Sequence, residues 1–177
     1  MLIDYLLSVF SKRLDLSEND EIMVRHGIDI FVCDGSNIFC LLIVAYLLNR
    51  FLYGILYIAI FSALRGYSGG WHSSTRFGCF AVYQLMFLFA LAFYSLNIPR
   101  CMSDIIFVFS SLYTLIYSPV QHIYNPLTES EIKTNRIKTR STLICALILY
   151  MTFVSIHLPY YRVISQVVLW NALCMEA

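Results

Sequence analysis

Residues 77–96, FGCFAVYQLMFLFALAFYSL, run for twenty positions without a charged side chain. At about 1.5 Å per residue such a block spans a hydrocarbon core about 30 Å thick as a single helix. Similar blocks cover about 28–48, 51–64, 104–118, 141–158 and 161–175, with short polar stretches between them. A membrane β-barrel would need segments of roughly 10 residues alternating in and out, whereas these blocks are apolar on every face. With 59% hydrophobic and 13% charged residues among 177 and a mean hydropathy of +0.71, the chain carries more apolar surface than a soluble domain of its size can bury. The fold class is therefore an all-α integral membrane protein.

The whole of 1–177 reads as one membrane domain. Residues 1–16, MLIDYLLSVFSKRLDL, set apolar positions 2, 3, 6, 7, 10 and 14 against Lys12 and Arg13, the pattern of an amphipathic helix lying on the bilayer. The N-terminus has neither a basic leader nor a small-residue cleavage site and reads as mature sequence. Two of the apolar blocks, 51–64 and 161–175, are short, so four to six crossings are expected, with tilt or a re-entrant path for the short ones. Six crossings with the N-terminus inside place Lys12, Arg13, Arg25, Arg65, Arg76, Lys133, Arg136, Lys138 and Arg140 on the cytoplasmic side and Arg50, Arg100 and Arg162 outside. That bias puts the polar loops 65–76 and 119–140 on one cytoplasmic face, as potential neighbours.

A net charge of +1 gives no footprint for nucleic acid. The six cysteines contain no C-x-x-C pair, so neither a disulfide framework nor a zinc site is expected.

The densest polar motif is Leu64–Phe80, LRGYSGGWHSSTRFGCF, which holds four of the seven glycines. Gly66, Gly69 and Gly70 are expected to stop the preceding helix, and Ser73, Ser74 or Thr75 to cap the next one. In a continuous helix His72 and Cys79 would stand about 10.5 Å apart along the axis. With His72 on the loop and Cys79 in the first turns of the following helix, a thiol nucleophile and an imidazole base come within reach. A helix N-terminus and a nearby imidazolium both favour the thiolate. His26 and Cys33 repeat the same spacing without the glycines and read as structural, so spacing alone does not decide, and ordinary packing of His72 and Cys79 stays open at this point. So do a small membrane transporter using a broken helix and a non-catalytic membrane scaffold.

The string Arg65-x3-Gly69-Gly70-x-His72-x6-Cys79 resembles the signature of the accessory gene regulator B (AgrB) family, bacterial membrane cysteine endopeptidases that process a quorum-sensing autoinducer propeptide. Ser118-Pro119 followed by Asn125-Pro126-Leu127 is similar to the proline-containing loop of that family, and Trp71 departs from its pattern, where a smaller aromatic is expected. The resemblance implies a cell-membrane enzyme without a cofactor, with Cys79 as nucleophile, His72 as base and then acid, and Arg65, Gly69 and Gly70 in support. It implies release of the C-terminal tail of a small AgrD-like propeptide through a thioester, capture of the acyl group by the propeptide's own cysteine, and a homodimer.

Lys133, Arg136, Lys138 and Arg140 form a basic stretch that either needs no partner or steers the acidic tail of such a propeptide to the catalytic loop. Asp34, with Ser36 and Asn37, sits inside the first apolar block, where a carboxylate is a functional candidate by default. Asp29, Gln121 and Asn125 are further polar candidates for a third catalytic group. His122 and His157 read as structural, and Tyr53, Tyr94, Tyr160, Tyr161 and Trp170 as interfacial aromatics.

Overall fold

The computed structural model describes residues 18–70, 75–96, 98–121 and 127–176. The expected interfacial helix over 1–16 lies outside the described residues. Among the described residues the chain forms six helices, α1 (Glu18–Leu47), α2 (Phe51–Ser68), α3 (Arg76–Ser95), α4 (Arg100–Tyr117), α5 (Glu129–Ser155) and α6 (Tyr161–Glu176). Four of them, α2 to α5, are long and apolar enough to cross a membrane, and Phe31–Leu47 is the apolar part of α1. Large apolar side chains such as Phe39, Phe109, Ile116 and Ile148 face outward. This is an all-α membrane protein whose exterior is made for lipid.

Three boundaries differ from the sequence reading. Helix α1 takes in most of the polar stretch expected to precede it, and α2 runs through Gly66 to Ser68. The stretch expected as a polar loop up to residue 140 is helical from Glu129. Its start is fixed by a capping box: the Thr128 hydroxyl accepts from the Glu131 N–H at 3.4 Å, and the Glu131 carboxylate accepts from the Thr128 N–H at 2.8 Å. Four backbone donors open every helix without an internal partner, and this reciprocal pair satisfies two.

The turn at the end of α1 and the turn at the end of α5 are alike. Asn49 (φ 55°) and His157 (φ 57°) are in the left-handed region. After α1, the Arg50 N–H donates to Ala45 O at 2.7 Å and the Asn49 N–H to Tyr46 O at 3.0 Å. After α5, the Leu158 N–H donates to Phe153 O at 2.9 Å and the His157 N–H to Val154 O at 3.2 Å. Both are Schellman closures, with Asn and His where glycine is usual. His157 thus has the structural role the sequence suggested.

The shortest of these described helices, α6, is 16 residues long and occupies the centre, packed against α2, α3, α4 and α5. Val163 to Val168 are buried in an unbroken run, as expected of a helix enclosed on all sides. Between α2 and α3 the space is filled by rings: Tyr57 stacks on Phe61 at 5.5 Å and meets Phe87 edge-on at 5.3 Å, while Phe61 meets Tyr83 at 5.4 Å. Where α1 turns into α2 the helices approach closely, since a Cβ on Gly54 would lie 2.6 Å from that of Ala45. The ends of α2 and α6 and the start of α3 meet at one end of the bundle, and the start of α2 and the end of α3 lie at the other.

Candidate active site

The glycine-rich loop leaves α2 through a root held by two distant parts of the chain. Gly69 forms a parallel bridge with Val120, and the Val120 N–H donates to Ser68 O at 2.8 Å. The polar loops 65–76 and 119–140, expected as potential neighbours from charge alone, are therefore in backbone contact where Ser68 and Gly69 meet Val120. Gly69 has φ 69° and Gly70 φ 113°, a region that side chains resist. Space is closed as well. A Cβ on Gly69 would collide with the Val120 carbonyl, and one on Gly70 with the Arg65 guanidinium, the Cys174 carbonyl and the Met175 Cα.

Arg65, in the last turn of α2, ties these pieces together. Its Nη1 donates to Gly69 O at 2.5 Å and to Cys174 O at 3.4 Å. Those carbonyls close α2 and belong to the last turn of α6, where unpaired acceptors and the helix dipole favour a cation. The guanidinium also lies within electrostatic reach of the Cys79 and Cys174 thiols. In this geometry Arg65 organises the loop from behind.

A second tie was missed by the sequence reading. Ser68 and Asn171 are both fully buried, and the Ser68 hydroxyl donates to Asn171 Oδ1 at 3.0 Å. The Asn171 amide is directed at Met175 Sδ, 3.8 Å away, and Cys174 Sγ lies 3.6 Å from Met86 Sδ. The signal available in the sequence was an amide inside an apolar helix, a costly placement unless it is paired.

After residues 71–74 the chain returns at Thr75, whose side chain accepts from the Gly78 N–H at 3.1 Å as the N-cap of α3. The Cys79 N–H donates to Thr75 O at 3.0 Å, which sets the half-buried Cys79 in the first turn, as expected. His72 lies outside the described residues, between the described anchors Gly70 and Thr75. His122 and Asn125 also lie outside them.

Across from Cys79 stands α1. Gln84 Nε2 donates to Asn37 O at 3.0 Å and sets the register of two helices that run in the same direction. Cys79 lies about 7.5 Å back along α3 from Gln84, and Asp34 and Cys33 lie about 4.5 and 6 Å back along α1 from Asn37. All three occupy one level, and the Cys79 thiol is within electrostatic reach of both Asp34 and Cys33. Of the polar residues singled out in the first apolar block, Asp34 is thus the one at the level of the thiol. Ser36 bonds back to Cys33 O at 2.8 Å, and Asn37 is buried against α3.

The four cations expected to act together are divided by the helix that carries them. Lys133, Arg136 and Arg140 share a stripe on the first turns of α5 at i, i+3 and i+7. Lys138 points elsewhere, its ammonium 5.0 Å from the centre of the Tyr67 ring at the end of α2. Among the described residues no group of His, Cys, Asp and Glu is arranged to hold a metal ion.

A family model described as accessory gene regulator B matches residues 3–175 of this chain. No curated protein and no solved structure matches it.

Proposed function

The chain belongs to the accessory gene regulator B family, and on that premise we propose that it is a membrane cysteine endopeptidase that trims a small autoinducer propeptide in quorum sensing. The observation that carries the reading is the position of Cys79: first turn of α3, beside the anchored glycine loop that carries His72.

His72 takes the thiol proton, and the Cys79 thiolate attacks the scissile carbonyl. The tetrahedral intermediate collapses as His72 returns the proton to the departing amine, which leaves as the free N-terminus of the acidic tail. The rest of the propeptide remains on Cys79 as a thioester. The propeptide's own cysteine then attacks that thioester, closes a thiolactone ring and restores the Cys79 thiol. One thioester replaces another, so the exchange needs no nucleotide or cofactor, provided water is kept away. Arg65, Gly69 and Gly70 hold the loop, and Lys133, Arg136 and Arg140 attract the acidic tail. The distribution of cations supports an active site on the cytoplasmic face, and the family resemblance supports a homodimer.

Mass spectrometry of the purified protein in nanodiscs with its candidate propeptide tests the proposal. Tail release with a peptide adduct on Cys79, absent in Cys79→Ala and largely absent in His72→Ala, is expected. Cleavage that persists in Cys79→Ala would overturn it.

A further inference from the structure

Helix α5 turns one stripe toward the bundle, Thr139, Leu143, Ala146 and Tyr150, at the spacing of a single helix face. The member nearest the glycine loop is a hydroxyl where an apolar side chain would be expected. Thr139 is 1% exposed and is the first buried position of the helix. Its oxygen accepts from the Ser118 hydroxyl at 3.1 Å, and Ser118 is buried as well. Buried hydroxyls are costly in an apolar bundle unless they are paired. This pair therefore joins α5 to the end of α4 by a directional contact.

Ser118 leads directly to the loop. It closes α4, its N–H donating to Thr114 O at 3.0 Å. Val120, two residues on, donates its N–H to Ser68 O at 2.8 Å and forms the bridge with Gly69. Only Pro119 stands between them, and its ring fixes φ at about −65°. A displacement at Ser118 is therefore carried to Val120 with little to absorb it. The Val120 carbonyl fills the space that a Cβ on Gly69 would need, so Val120 bounds the glycine pair. The strap 118–120 is thus tied to α5 by a side chain at one end and to the loop root by backbone at the other. The preceding residue of α5, Lys138, lies over the Tyr67 ring at 5.0 Å. Adjacent helix positions diverge by about 100°, so α5 holds the loop root from two directions.

We propose that Thr139 and Ser118 are positioning residues for the catalytic loop: their bond holds Val120 against Ser68 and Gly69 and so sets how the loop that carries His72 leaves α2. The inference rests on the peptidase reading of Cys79 and His72. Both residues act through Val120 and not on the reacting atoms. The tie also joins two parts of the site, since Arg136 and Lys133 stand about 4.5 and 9 Å beyond Thr139 along α5. The residue that braces the loop thereby fixes the height of the cations that attract the acidic tail. A positioning bond differs from a merely stabilising one in a measurable way. Replacing both partners by apolar groups of similar shape restores most of the stability, but it leaves the strap untied.

Two readouts on the full chain in nanodiscs test this: the rate of Cys79 alkylation by iodoacetamide across pH, and kcat and KM for tail release from the candidate propeptide. Thr139→Val and Ser118→Ala should each lower kcat about tenfold with KM near its wild-type value. Each should also move the pH profile of Cys79 alkylation toward that of His72→Ala. Thr139→Ser, which keeps the acceptor, should restore both readouts. The double variant Ser118→Ala/Thr139→Val should regain most of the wild-type melting temperature and stay as impaired as the single variants. It carries the test where a single variant does not fold. Activity that recovers together with melting temperature in the double variant overturns the proposal. So does a folded Thr139→Val protein with wild-type kcat and alkylation profile, and wild-type cleavage in that experiment leaves the peptidase reading standing. A wild type that releases no tail and alkylates like His72→Ala overturns that reading and the proposal with it.

Discussion

Ser68 and Asn171 are joined by a buried 3.0 Å hydrogen bond across 103 positions of sequence, the hydroxyl donating to the amide oxygen. Ser68 is the last residue of α2 before the glycine pair, so this bond sets where the loop leaves the helix. Removing Ser68 leaves the Asn171 oxygen buried without this donor, and removing Asn171 leaves the Ser68 hydroxyl only the longer 3.5 Å contact to Gly69 O, at a cost of about 1–3 kcal/mol. Asn171→Leu and Ser68→Ala should each lower the rate constant of tail release by about tenfold while KM stays near its wild-type value. Ser68→Thr, which keeps the donor, should restore most of the rate. Because both substitutions remove one interaction, the double variant should be little worse than the poorer single one. Full additivity in a kinetic double-mutant cycle would show that the bond does not carry the effect.

The parts of this fold that depend on solvent were legible in the sequence. A block such as 77–96 admits few alternatives in lipid, and α3 and α4 start and end within a few residues of their predicted limits. The charge count likewise placed 65–76 and 119–140 together, and Val120 does bond to Ser68. Capping decided the boundaries that were missed. Thr128 with Glu131 fits a helix-start pattern, yet in a polar stretch a helix and a loop look the same until the cap is weighed. The contacts at the site were less legible because they are long-range. Asn171 carried the general warning of a polar residue in an apolar helix, but nothing local says that its partner is Ser68. Cys174 contributes a backbone carbonyl to Arg65, and a backbone role leaves no trace in residue type.

The glycines of the motif should separate sharply under substitution. Gly66 lies within α2, and a Cβ there would meet nothing within 4 Å. Gly66→Ala should therefore stabilise the protein by up to about 1 kcal/mol through helix propensity, with little change in activity. Gly70→Ala would instead drive a methyl group into Arg65 and the Cys174 carbonyl at φ 113°. Backbone strain of this kind costs on the order of 1–3 kcal/mol, and activity should fall below a hundredth of wild type. Melting temperatures and cleavage rates for the two variants check the contrast, and similar outcomes for both would contradict the anchored loop root.

His157 closes α5 in the left-handed region, at φ 57°. A residue with a Cβ pays roughly 1–2 kcal/mol there, so His157→Gly should raise the melting temperature in detergent. His157→Val, with a β-branched side chain, should lower it. Neither should change the pH dependence of tail release, since the residue is at the end of the bundle opposite Cys79. A shift in the pH profile on His157→Gly would mean that the histidine takes part in the chemistry.

The division of the α5 cations predicts two different phenotypes from one basic stretch. Lys133, Arg136 and Arg140 lie on a stripe of exposed positions, where attraction for an acidic peptide is long-ranged and falls off over a Debye length of about 10 Å at 0.1 M salt. Replacing these three by Gln should slow tail release at low ionic strength by about tenfold, and the deficit should shrink as salt is added. Lys138 is held 5.0 Å from the Tyr67 ring centre, a contact worth about 0.5–1 kcal/mol at an exposed site. Lys138→Gln should therefore lower stability slightly and leave the salt dependence of cleavage as it is in wild type. Rates measured across a salt series for both variants decide the point. A triple-variant deficit that does not change with salt would mean that the stripe supports α5 and has no part in attracting the substrate.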